Sequence, residues 1–191
     1  MSLNLPSSEF PSGPLVLDAS VLFNLLGTGM PKELLQALAV PCWVEERTAA
    51  EIRRVPGQRT ESAPLQPLLD NGCLKLCRMS ERAYETYLSL LSGPSADTLD
   101  DGESAAIAIA VEGAGSVVLD DKKARRIFAT RFPGVASGTS LSLIIEAARR
   151  AAWSEEKLRN AVTLACDVSR MAVVLHERTL FTGLFATAVR T

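Results

Sequence analysis

The chain of 191 residues is almost without histidine, His176 being the only one. Catalytic zinc sites gather several His or Cys ligands at short spacing, and Ser-His-Asp or Cys-His nucleophiles need a histidine base. Both chemistries are disfavoured, since His176 would have to serve alone. Cysteine is scarce as well: Cys42, Cys73, Cys77 and Cys166 form no CxxC pair, and no secretion signal precedes them. A disulfide framework has little support, and a reduced, cytoplasmic protein is the expectation. Long apolar runs are missing too. AAIAIAV near residue 105 and MAVVL near residue 171 fall far short of the ~20 residues that span a bilayer, so neither a transmembrane helix nor a membrane partner is expected. A strong charge of either sign is lacking, and the net charge of −2 excludes a basic protein that holds nucleic acid by bulk electrostatics. It does not exclude nucleic acid as a substrate, because bound divalent cations reverse the sign of an acidic pocket and short basic patches hold phosphates beside it. If this chain is a catalyst, carboxylates carry the chemistry.

What is present is an alternation of short apolar runs with amphipathic stretches. Residues 1–14, rich in Ser, Pro and Gly, read as a flexible leader. PLVLD (14–18) is a strand ending in Asp, and the apolar residues 21, 22, 25 and 26 of ASVLFNLLGTG then follow helical spacing. PKELLQALA (31–39) places Leu34, Leu35 and Leu38 on one helical face behind a Pro start. VPCWV (40–44) is a second strand, EERTAAEIRR a helix running up to VPG at 55–57, and CLKLC (73–77) a strand after the Asn71-Gly72 turn signal. Residues 56–67 are a polar, Pro-containing loop. SERAYETYLSLLSG (80–93) and DDGESAAIAIAVEGAG are helices, SVVLDD a strand ending in two aspartates, KKARRIFATRF a basic helix, GVAS (134–137) a last strand, and GTSLSLIIEAARRAA a helix. From Trp153 onward one or two more helices form a C-terminal extension, 153–191, on a main domain of 15–152. The pattern predicts an α/β fold with a parallel sheet covered on both faces, whose ligand site lies beyond the carboxyl ends of the strands. Asp18, Asp120 and Asp121 sit where that rule points.

Each acid has a plain reading. An Asp or Glu at a helix start caps free N–H groups and meets the positive end of the dipole. Asp100 with Glu103 matches a capping box, Asp101 belongs to the same helix start, and Glu51 is explained as a solvated residue paired with Arg47 or Arg54. Taken together, however, Asp18, Glu51, Glu103 and Asp121 flank one end of the inferred sheet. Carboxylates gathered there repel one another unless a cation sits between them. Oxygen ligands without histidine select a hard ion, Mg²⁺ or Mn²⁺. Trp43 and Trp153 read as core or interface anchors rather than base-stacking platforms, and His176 as a surface or packing residue.

VLDASVLFNLL, the Glu-Ile of AAEIRR, DDGESAAIAIA, VVLDDKKARRIFA and GTSLSLI resemble, in order and at fitting separations, the successive motifs of PIN-domain proteins. The likeness covers roughly residues 15–150 and is nearest to a prokaryotic branch whose motifs read DAS, GE before AI, DD before AR, and GT. The resemblance implies a three-layer α/β/α sandwich with a central parallel sheet, one or two Mg²⁺ or Mn²⁺ ions, and metal-assisted hydrolysis of phosphodiester bonds. Many such proteins cleave RNA, including the ribonuclease toxins of toxin–antitoxin pairs. RNA is then the substrate, and an antitoxin protein is a candidate partner. Matched motif by motif, Asp18, Glu51, Glu103 and Asp121 correspond to the metal-binding acids. Asp120 shares the last position, Ser20 matches a hydroxyl near the metal, and Thr139 a hydrogen-bonding group of the site.

Lys122, Lys123, Arg125 and Arg126 follow the acidic strand end. Arg125 and then Lys122 are the first choices to meet substrate phosphate, against the plain reading of a solvated basic helix face. Leu158, Val162, Leu180 and Phe181 give the tail apolar faces that suit a homodimer. Two other readings stay open. A catalytically silent PIN-like module would bind RNA or protein without cutting, though completeness of the four acids favours the enzyme. A Rossmann-like phosphatase would put a second Asp two residues after the first, where this chain has Ser20.

Overall fold

The structure, a computed structural model, describes residues 10–186 apart from Glu61 and Ala114. Five parallel strands form the sheet: β1 (Leu15–Leu17), β2 (Cys42–Glu45), β3 (Lys75–Cys77), β4 (Ser116–Val118) and β5 (Ser137–Gly138), in the order β3-β2-β1-β4-β5. The helices are α1 (Ala19–Gly27), α2 (Pro31–Leu38), α3 (Glu46–Glu51), α4 (Gln66–Asp70), α5 (Glu81–Leu91), α6 (Asp101–Glu112), α7 (Lys122–Arg131), α8 (Ser140–Arg150), α9 (Glu155–Ser169) and α10 (Arg178–Ala186), with a 3-10 turn at Leu175–Glu177 before α10.

The period-2 alternation of each strand divides the core into two layers. Leu15 and Leu17 of β1, Val44 of β2 and Val118 of β4 face one cluster, packed under α1, α2, α8 and α9. Val16 and Val117 face the other, packed under α6 and α7 with Leu90 of α5. Strands buried on both faces leave no room for polar alternation, which is why LVL and SVV read as unbroken apolar runs. The result is the expected three-layer α/β/α sandwich.

Several boundaries differ from the sequence reading. The helix expected across EERTAAEIRR stops at Glu51, because Ile52 turns into the core at 8% exposure and takes non-helical dihedrals. Glu51 therefore stands at a helix end and not in its middle. The last strand is Ser137–Gly138, shifted toward the following helix, since Val118 pairs with Gly138 and Thr139 already caps α8. Of the leader, residues 1–9 lie outside the described residues. Within 10–14, Phe10 lies against Gly138, Pro11 is buried, and the Pro14 carbonyl accepts from Ser116 N–H at 2.8 Å.

The C-terminal helices join the main core. Leu158 and Val162 of α9 are fully buried, and Leu180 and Phe181 pack against the same cluster. Those four side chains are spent inside the chain and no longer argue for pairing with a second copy. Trp153 is a core anchor, as its composition suggested, with its indole N–H donating to Glu33 at 2.8 Å.

Helices α1 and α9 approach closely at Gly27. A Cβ on Gly27 would collide with the Ser169 hydroxyl and stand 3.0 Å from Ser169 Cβ. Relieving such a clash costs about 1–3 kcal/mol, which outweighs the roughly 0.5–1 kcal/mol that Gly→Ala gains in helix propensity. Gly27→Ala is expected to lower the melting temperature by several degrees, and Ser169→Gly in the same chain to recover most of the loss. Thermal unfolding of the two variants and their combination measures that coupling; additive losses would place the cause elsewhere.

Candidate active site

Parallel pairing brings the strand ends level. Leu17 stands opposite Val118, so Asp18 leaves β1 beside the segment that carries Asp120 and Asp121, and the Asp18 N–H reaches the Val118 carbonyl at 3.4 Å. Asp18 is the N-cap of α1. Its Oδ2 accepts from Ser20 N–H at 3.1 Å and from the Ser20 hydroxyl at 2.5 Å. The other oxygen, Oδ1, faces a gap left by the missing side chain of Gly102. A Cβ there would lie 3.6 Å from Asp18 Oδ1, 3.8 Å from Thr48 Oγ1 and 3.9 Å from Glu51 Oε2. Three oxygen atoms, from the N-cap of α1, from α3 and from the end of α3, thus surround one methyl-sized position at Gly102. The Thr48 hydroxyl is buried without a hydrogen-bond partner, an arrangement that costs about 1–3 kcal/mol unless a ligand relieves it.

The charges confirm that the acids sense one another. Burial pushes Asp18 above its ordinary value, the Ser20 bonds oppose the rise, and Asp120 adds to it. Burial also raises Glu51, followed by the charges of Asp18, Asp101, Asp100 and Glu45. Glu103, in the first turn of α6, is pushed up to about 8 by burial and then by Asp100, Asp121 and Asp18. Glu51 is exposed, as the solvated reading expects, but among the described residues no ion pair joins it to Arg47 or Arg54. Half of the Asp100–Glu103 capping box is present: the Asp100 side chain makes no cap bond, while the Glu103 carboxylate accepts from the Asp100 backbone N–H.

Three of the acids singled out from the sequence have structural duties. Asp120 uses both oxygens: Oδ1 accepts from Ser140 N–H at 2.8 Å, and Oδ2 accepts from Asn24 at 2.7 Å and the Ser140 hydroxyl at 2.5 Å. It ties β4 to α1 and α8. Asp121 caps α7 through Oδ1 to Ala124 N–H at 2.8 Å. Asp101 accepts the Tyr87 hydroxyl at 2.6 Å and joins α5 to α6. Among the described residues no three Asp, Glu, His or Cys side chains are grouped as an ion cage. The expectation that all four carboxylates already reach one position is not met as the side chains stand. Mutual repulsion and the cap duty of Asp121 both work against such crowding.

Thr139 lies on the far side, at the end of β5. It caps α8 in a reciprocal box with Ser142 and donates its hydroxyl to the buried Glu177 at 2.5 Å. Arg125 reaches the His176 ring at 3.3 Å, so the chain's only histidine is a surface contact as read. Arg125, His176, Thr139 and Glu177 line a separate cleft of about 400 Å³. Lys122 begins α7 in solvent. Three residues escaped the sequence reading. Glu45, 4% exposed, ends β2 and caps α3, and the strand-end rule that marked Asp18 would have found it. Thr48 and Glu177 gave no local signal.

A family model described as a PIN domain matches residues 14–164. The chain belongs to the PIN-domain family, whose members are in general nucleases that use divalent metals. The match extends past residue 152 into α9, in keeping with the burial of that helix in the same core. No curated protein and no solved structure matched the chain. Among the described residues no helix is long and apolar enough to cross a membrane.

Glu103 makes the unneutralised site sensitive to pH. The folded protein keeps this proton up to about pH 8, whereas an ordinary glutamate releases it near 4.5. Between those values the folded state binds more protons, so this group's contribution to stability is lost as pH rises through the window. Without divalent ions, Glu103→Gln should flatten the dependence and raise stability above the window. Allowing for solvent screening, the gain is about 1 kcal/mol or more, or roughly 2–4 °C. Melting curves of both proteins in EDTA on either side of the window test this, and parallel curves would refute it.

Proposed function

We propose that the chain is a Mg²⁺- or Mn²⁺-dependent ribonuclease that hydrolyses RNA phosphodiester bonds at the Asp18–Glu51–Glu103–Asp121 site. The single observation that supports this most is the space beside Gly102, bordered by Asp18, Glu51 and the partnerless Thr48 hydroxyl. Its donors are all hard oxygens, which fits Mg²⁺ or Mn²⁺ and no softer metal. An ion held by these acids would supply Lewis-acid activation of water and charge stabilisation on the phosphoryl oxygens.

The residues of the chain prepare that chemistry. Ser20 occupies one oxygen of Asp18 and fixes the carboxylate so that the other faces the space. The helix start of α6 holds Gly102 and Glu103 side by side, one leaving room and the other adding charge. Asp120 locks β4 against α1 and α8, which holds the neighbouring Asp121 at the rim. No covalent enzyme intermediate is required. A toxin role with a protein antitoxin is compatible with the family, and so is a second copy as partner; neither is needed for the chemistry.

Asp18→Asn keeps the helix cap, since Asn caps as well as Asp, and removes one anionic ligand. Loss of even an outer-shell partner typically costs 10–100-fold, so cleavage should fall by at least about 100-fold with melting temperature unchanged or higher. Cleavage of single-stranded RNA is assayed with Mn²⁺ and with EDTA, alongside thermal melting. Equal rates in wild type and variant, or wild-type cleavage that persists in EDTA, would remove the carboxylate site from the reaction. RNA binding without any cleavage would make the chain a silent binding module.

A further inference from the structure

Beside the acids lies a cleft of about 520 Å³ lined by Ser20, Glu51, Phe23, Arg53, Arg54 and Arg59. Ser20 and Glu51 belong to both, so the cleft opens directly from the carboxylate site. We propose that it seats the single-stranded RNA substrate, with the three arginines on successive phosphates and Phe23 beneath an unpaired base. The inference rests on the ribonuclease reading and gives the path of the strand.

The loop that carries the arginines is built and anchored. Ser62 N–H donates to the Arg53 carbonyl at 2.6 Å and closes its mouth, and Gln58 N–H donates to the Val55 carbonyl at 3.1 Å within it. Gly57 supplies the left-handed turn at φ +79°, and a Cβ there would already press on Val168 of α9 at 3.3 Å. Pro56 is buried. A loop tied at both ends and seated on α9 holds its guanidiniums near the acids at little entropic cost on binding.

Charge and shape both match a single strand. Arg53, Arg54 and Arg59 are exposed, and among the described residues none of them is in an ion pair. The Arg53 Nε–H alone makes a local bond, to the Ala50 carbonyl at 3.4 Å. The same cleft is also lined by apolar groups, Ala19, the half-buried Phe23 and Ile52. Cations and an aromatic ring in one cleft suit phosphates and an unpaired base, whereas a duplex keeps its base faces stacked and offers none to Phe23. The arginines of α7 are engaged elsewhere: Arg125 on His176, Arg126 on the Ala96 carbonyl and Arg131 on Ser89. The strand therefore runs along the α3 loop and not along α7.

Binding of a short fluorescent single-stranded RNA is measured by anisotropy in EDTA over a salt series, with metal-dependent cleavage read in parallel. The triple variant Arg53→Ala, Arg54→Ala, Arg59→Ala should lose affinity at least about tenfold, and its slope of log affinity against log salt should fall by about 2. Phe23→Leu should weaken binding on the order of tenfold without changing the slope. Arg131→Ala, outside the cleft, controls for simple loss of charge and should change little. Unchanged binding by the triple variant, no RNA binding by the wild type, or equal competition by duplex RNA overturns the proposal. Cleavage with an unchanged KM in the triple variant overturns the strand path and leaves the ribonuclease reading intact. Loop-dependent binding by a wild type that never cleaves does the reverse.

Discussion

The pairing of β1 with β4, Leu15 to Leu17 against Ser116 to Val118, decides where Asp18 and the Asp120–Asp121 pair stand. Parallel strands in register deliver their following residues to the same edge, so Asp18 and the Asp120–Asp121 pair emerge together. Short strands of three residues would hold that register weakly by backbone bonds alone. Asp120 reinforces it with three hydrogen bonds that reach α1 through Asn24 and α8 through Ser140. Bonds to a charged acceptor contribute about 1.5–3 kcal/mol each, enough to make this carboxylate a structural member even though it neighbours the chemistry. Asp121, one residue on, is thereby turned to the rim.

The same fold shows what a purely structural buried acid looks like. Glu146 of α8 is 3% exposed, yet Arg149 and Arg150 meet it at 2.7 and 2.6 Å, and these bonds hold its carboxyl below the ordinary range. Asp18, Glu51 and Glu103 shift the other way, because burial and neighbouring negative charge act on them with no arginine among the causes. The acids thus differ in their partners: arginines neutralise Glu146, whereas no arginine is among the groups acting on Asp18, Glu51 and Glu103, an arrangement that a cation would relieve.

Much of this was legible from sequence, for definable reasons. An apolar run ending in Asp marks the carboxyl end of a strand, and two such runs, LVLD and VVLDD, put Asp18 and the Asp120–Asp121 pair at one end of the sheet. The α/β order and the PIN resemblance followed from the same punctuation. Side-chain commitments were not legible. DDGE reads as a capping box, but Asp100 makes no cap bond; DD reads as a pair of equivalent acids, but one is tied down and the other caps α7. Apolar positions such as Leu158 and Val162 look the same whether they face a second chain or the chain's own core. Glu177 approaches Thr139 across 38 positions of sequence, and no local pattern announces a contact of that range.

The C-terminal segment also shows that basic residues next to an acidic motif in sequence need not face the acids. Lys122, Lys123, Arg125 and Arg126 follow Asp121 directly, so the sequence puts positive charge next to the acids. A helix turns about 100° per residue, however, and carries consecutive side chains to different faces. Arg125 faces the tail, where His176 takes its guanidinium and Glu177 closes on Thr139. Arg126 faces α5 and α6, where it meets the Ala96 carbonyl at 2.6 Å. The arginines that line the cleft opening from the acids come instead from the loop after α3, carried there because Ile52 ends that helix and turns the chain across Phe23.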